Sequence, residues 1–129
     1  MPKDIVLCVD DEPIVLRLCS TAVSLSGLRC ALAENGIAGF DAFVQLKDEI
    51  CLVLADIIMP IIDGIDMAER ILQIDPQMKI LLMSGCGDVV LNSKGANAFP
   101  LIRKPFIHSV LIAKIRSILG TSANAASAT

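Results

Sequence analysis

Short, uninterrupted apolar runs that stop abruptly at an acidic residue constrain this chain most. Ile5–Val9 ends at Asp10, and Ile50–Ala55 ends at Asp56. A strand that is apolar at every position must be covered on both faces, which is the signature of a parallel sheet between helical layers. A half-exposed antiparallel strand would alternate instead. Longer amphipathic stretches separate the runs. The predicted strands are Ile5–Val9, Leu28–Ala33, Cys51–Ala55, Lys79–Met83 and a short one at Leu101–Arg103. Helices are expected over Pro13–Ser26, Gly36–Lys47, from a cap at Asp63 to Ile74, weakly over Asp88–Lys94, and over Phe106–Leu119. Pro13 suits a first helical turn, and Gly27 and Asp75-Pro76 are stops. In the last helix the expected buried stripe is Ile107, Val110, Leu111, Ile115 and Ile118.

Composition enters as a set of exclusions. The 129 residues are one domain's worth, and 54% apolar with 19% charged rules out disorder and coiled coil. Only 3% are aromatic and the net charge is −3, so neither base stacking nor a general electrostatic grip on nucleic acid is expected. No run approaches the roughly 20 apolar residues of a membrane span, and Asp4 breaks the layout of a leader. Five cysteines without a CxxC pair suggest reduced thiols in a cytoplasmic protein. Residues 1–120 are expected to form the domain, with 121–129 a small, uncharged, disordered tail.

In an open parallel sheet, sites form beyond the carboxyl ends of the strands. That rim would carry Asp10, Asp11 and Glu12, then Asp56, Ser84 and Lys104-Pro105. Carboxylates converging there resist ionisation unless a cation neutralises them. Hard oxygen donors on a hydrated rim suit Mg²⁺. A lysine and a hydroxyl beside them are what a transferred phosphoryl group needs. Each residue has a plainer reading. Asp11 or Glu12 could merely cap the first helix, and Ser84 could be an ordinary turn hydroxyl. Asp63-Gly64 reads as a cap and a tight turn, whatever the function. His108, the sole histidine, reads as a surface residue.

Four signatures in order, Val9-Asp10-Asp11-Glu12, Asp56 to Gly64 (DIIMPIIDG), Met83-Ser84-Gly85 and Lys104-Pro105-Phe106, resemble those of bacterial response-regulator receiver domains. The resemblance runs from Ile5 to about Leu119. It implies a flavodoxin-like (βα)5 fold with sheet order 2-1-3-4-5. It implies Asp56 as phosphoacceptor, and Asp11, Asp56 and the Ile58 carbonyl as Mg²⁺ ligands, with Asp10 acting through water. It also implies Lys104 as the phosphoryl partner, or Asp56's own partner before transfer, and Ser84 as the switch hydroxyl. The donor would be a histidine kinase or phosphotransfer protein, docking on Pro13, Ile14, Arg17, Pro105 and Phe106. A stand-alone receiver would signal by contact with a downstream protein or as a homodimer, and would catalyse only its own phosphorylation and dephosphorylation.

Two departures from the family pattern are legible. Leu101 stands where most receivers carry an aromatic switch ring, and the stretch from Ser84 to Lys104 is short for a full helix. Two alternatives compete with the leading reading. One is a receiver-like interaction module that works without phosphate. The other is an aspartyl-nucleophile phosphatase, which needs a D-x-D motif after the first strand and room for a substrate cap.

Overall fold

The computed structural model describes residues 3–85 and 99–120. Five strands form one parallel sheet in the order β2-β1-β3-β4-β5, as the resemblance implied. They are β1 (Ile5–Val9), β2 (Arg29–Ala33), β3 (Ile50–Asp56), β4 (Ile80–Ser84) and β5 (Leu101–Arg103). The helices are α1 (Pro13–Leu25), α2 (Gly36–Leu46), α3 (Gly64–Ile74) and α4 (His108–Leu119). The weak helix expected over Asp88–Lys94 and the tail after Gly120 lie outside the described residues. No described helix is long and apolar enough to cross a membrane.

Alternation along each central strand divides the core into two layers. Ile5, Leu7 and Val9 of β1, with Val53 and Ala55 of β3, face α2 and α3 around Phe43, Met67 and Ile71. Val6 and Cys8 of β1, with Leu52 and Leu54 of β3, face α1 and α4 around Val23, Leu111 and Ile115. Every residue of β1 is buried, which is why its sequence shows no polar alternation. Edge strand β2 is only partly buried.

The helix boundaries follow local chemistry. Pro13 opens α1 where its missing N–H costs nothing. Asn35 Oδ1 accepts from Ala38 N at 2.8 Å and caps α2, while Asp63 Oδ1 accepts from Asp66 N at 2.8 Å and caps α3, as expected. Gly120, in the left-handed region at φ 72°, ends α4. The expected stripe of α4 needs correction at its start. Leu111 and Ile115 are buried and Ile118 partly so, but Ile107 precedes the helix and is 66% exposed, and Val110 is 49% exposed. Here α4 begins beyond the rim of the sheet, so its first apolar side chains have no layer to enter.

Candidate functional site

The carboxyl ends of the central strands meet at one rim. β1 delivers Asp10, fully buried, and leads into exposed Asp11. β3, its hydrogen-bonded neighbour, delivers Asp56, which is 6% exposed. Carboxylate oxygens of Asp10, Asp11 and Asp56 lie within 4.8 Å of one another. Three acids spread over 47 positions of sequence thus form one cluster, because β1 and β3 pair in parallel and end together.

Lys104 reaches this cluster from the loop after β5. Its Nζ lies 2.9 Å from Asp10 Oδ2, 3.0 Å from Glu12 Oε1 and 3.2 Å from Asp56 Oδ2. The expected Lys104–Asp56 pair is therefore real, but it is shared with two further carboxylates. Glu12 occupies the cap position of α1 without a side-chain cap, and its carboxylate turns to Lys104 instead. Asp10 Oδ1 accepts from the Glu12 backbone N–H at 2.8 Å and holds the turn. The plain capping reading thus fails for Glu12, and Asp10 takes the local turn bond. Lys104 itself is anchored by its N–H, which donates to Ser84 O at 2.8 Å, and it precedes a cis peptide bond to Pro105.

Burial pushes the Asp10 carboxyl above its ordinary value, with Lys104 opposing the rise. Burial does the same to Asp56, reinforced by the charge of Asp10 and again opposed by Lys104. Burial disfavours the charge on Lys104, but its bonds to Asp10 and Glu12 more than reverse this, so its pKa is raised well above normal. One ammonium thus answers three carboxylates with Asp11 beside them, and negative charge remains in excess. Asp10 Oδ2 is buried and has only the Lys104 ammonium, 2.9 Å away and shared with two other carboxylates, to answer its charge. A buried, underserved carboxylate oxygen beside two further carboxylates fits a hard divalent cation.

Two backbone features shape the rim. A Cβ on Gly64 would run into the Asp56 carbonyl oxygen, and Gly64 N donates to Ile57 O at 2.8 Å. The glycine predicted for a tight turn is required by close approach instead. The left-handed turn falls on Ile61, at φ 73°, a conformation that β-branched residues rarely adopt. Nothing in the sequence pattern marks that position.

Ser84 is buried at the end of β4, whose Met83 pairs with Asp56, so the hydroxyl-bearing residue belongs to the same rim. Leu101 opens β5 opposite Leu82 and packs against the α2–α3 layer. A groove of about 640 Å³ runs from the acids outward and is lined by Ile58, Ile14, Pro105 and Phe106 among others. Ile14 is 76% and Ile58 49% exposed. Pro13 and Arg17, also expected on this face, are exposed on α1 but do not line the groove.

A family model described as the response regulator receiver domain matches residues 6–116. The chain is 31% identical over 117 residues to the response regulator receiver protein CpdR of Brucella abortus, covering 88% of this chain and 95% of that protein. It is 32% identical over 116 residues to the chemotaxis protein CheY of Thermotoga maritima, again covering 88% and 95%. A receiver-domain crystal structure from Clostridium thermocellum superposes with a TM-score of 0.82 at 25% identity, covering 93% of this chain and 97% of that one.

Proposed function

The chain belongs to the response regulator receiver domain family, and from that membership we propose that it accepts a phosphoryl group on Asp56 and passes the signal on by protein contact. The observation that carries this reading is the convergence of Asp10, Asp11 and Asp56 on one lysine at the mouth of an open groove. Asp56 is the carboxylate that both ends a central strand and lines the groove. One of its oxygens attacks phosphorus in line, giving an acyl phosphate while the donor leaves from the opposite side. Asp11 and Asp56, with Asp10 through water and the Ile58 carbonyl, are the groups that would hold Mg²⁺. When bound, the ion neutralises charge on the transferred group.

Lys104 must exchange a carboxylate for a phosphoryl oxygen. Glu12, the most exposed of its three partners, is the one most readily released. Ser84 then supplies a hydroxyl to the new phosphoryl group. With Leu101 in place of a swinging ring, the accompanying rearrangement is small. The Ile58 side chain lines the groove beside Asp56 and has no polar atom to orient water, so self-dephosphorylation is slow. The protein is a signalling module rather than an enzyme acting on external substrates, and we place it in the cytoplasm. The donor is a histidine kinase or phosphotransfer protein, seated against Ile14, Pro105 and Phe106.

Incubation with acetyl phosphate and Mg²⁺ tests the acceptor. Intact mass should rise by one phosphoryl group in the wild type and not at all in Asp56→Asn; label that survives the substitution overturns the assignment. Ile14→Asp should slow transfer from the cognate kinase while leaving acetyl-phosphate labelling unchanged. Equal loss with both donors would mean that the pocket itself was damaged.

A further inference from the structure

Two thiols from neighbouring strands meet under α1. Cys8 Sγ of β1 and Cys30 Sγ of β2 lie 3.5 Å apart, unbonded, on the face of the sheet that α1 covers. Cys8 is buried and Cys30 is only partly so, because β2 is the edge of the sheet. The parallel register places Cys30 opposite Val6, so Cys8 is its diagonal neighbour on the same face. Cys19 also borders Cys8 but turns its Sγ toward Met83 Sδ at 3.9 Å, and Cys51 Sγ donates to Ile5 O at 3.4 Å.

We propose that Cys30 and Cys8 form an oxidation site, in which hydrogen peroxide acts on Cys30 and Cys8 resolves the product to an intramolecular disulfide. Cys30 is the less buried partner, and hydrogen bonds with Cys8 and then Ser20 lower its pKa against the opposing effect of burial. Its thiolate attacks one peroxide oxygen, the O–O bond breaks, and the departing hydroxide takes up the proton that the Cys30 thiol released, leaving a sulfenic acid and one water. Cys8 Sγ then attacks Cys30 Sγ. The S–O bond breaks, and the departing hydroxide takes up the Cys8 proton as a second water. Two thiols have lost two electrons and two protons, and one peroxide has become two waters. Bridging these diagonal positions requires the sulfurs to close from 3.5 Å to bonding distance. A thiol reductant should reopen the bridge.

The full-length protein, reduced, desalted and treated with hydrogen peroxide before alkylation, provides the test. Trypsin cuts after Arg17, Arg29 and Lys47, so Cys8, Cys19 and Cys30 fall in three separate peptides. The expected product is a monomer lighter by two hydrogens, whose non-reducing map joins the Cys8 and Cys30 peptides and separates again with dithiothreitol. Cys19→Ala should behave like the wild type, and Cys30→Ser should lose the cross-link. A linkage between any other pair, an unchanged mass, or sulfenic or sulfinic acid on Cys30 without a cross-link would overturn the proposal.

Discussion

Both ends of the sheet set a single cation among carboxylates, and the two clusters differ in how completely the charge is answered. At the amino ends of the strands, Arg29 bridges Asp4 at 2.6 Å and Glu49 at 2.8 Å. At the carboxyl ends, Lys104 bridges Asp10, Glu12 and Asp56, with Asp11 beside them. The Arg29 side chain is 54% exposed, so water completes what the protein leaves unpaired. The Lys104 side chain is 14% exposed and that of Asp10 wholly buried, so little water can do so. The hydrogen bond from Arg29 lowers the pKa of Asp4, whereas burial raises those of Asp10 and Asp56. The exposed cluster is a finished ion-pair network. Its buried counterpart is left short of positive charge where a groove opens, and that deficit makes it a site.

The largest test of this contrast is the cation. Mg²⁺ at about 100 times its dissociation constant should stabilise the wild type by about 2.7 kcal/mol in a thermal melt. Asp11→Ala should weaken the ion by at least roughly 10–100-fold and flatten that response. An unchanged Mg²⁺ shift in Asp11→Ala would break the comparison.

Next in size is the seating of the rim. Gly64→Ala forces a Cβ against the Asp56 carbonyl, where backbone rather than a flexible side chain must yield. A loss of about 2–4 kcal/mol in urea unfolding is expected.

In metal-free protein, the two ends should then respond to pH with opposite sign. Asp10 and Asp56 have raised folded values, so their ionisation costs stability at neutral pH, and the cost is relieved as pH falls through those values toward 3.8. Asp10→Asn should therefore raise the melting temperature in EDTA at pH 7 by a few degrees, and by less near pH 4. Asp4 behaves in reverse: its contribution is present above 3.8 and is lost as pH falls through its lowered folded value. The smallest effect belongs to Arg29→Ala, which should shift the melt barely beyond its scatter and vanish in high salt. A large loss in that variant would show that exposure is not what separates the two clusters.

Most of the architecture was legible because burial on both faces writes itself into continuous apolar runs. β1 and β5 have the predicted boundaries, β2 starts one residue later, β3 is one residue longer at each end, and β4 is shifted by one residue toward the C-terminus. What escaped prediction needed the third dimension. Ile107 and Val110 keep helical spacing with Leu111, yet periodicity does not say where the sheet stops beneath them. Glu12 reads locally as a helix cap, and only the arrival of Lys104, distant in sequence, redirects its carboxylate. The Cys8–Cys30 contact depends on strand register, which no spacing within either strand encodes. Gly64 was assigned a turn when its purpose is to leave space for Asp56.

The shortness and position of β5 have a consequence for how the site assembles. This strand has three residues, pairs only with β4 at the edge of the sheet, and is the one that brings Lys104 into place. The bond from Lys104 to Glu12 spans 92 positions, so closing it costs more chain entropy than bringing β1 and β3 together. During vectorial synthesis, Asp10, Asp11 and Asp56 have all emerged before their lysine exists. Until β5 docks beside β4, acids gathered by the pairing of β1 with β3 stand at the rim without the ammonium that faces them in the folded protein.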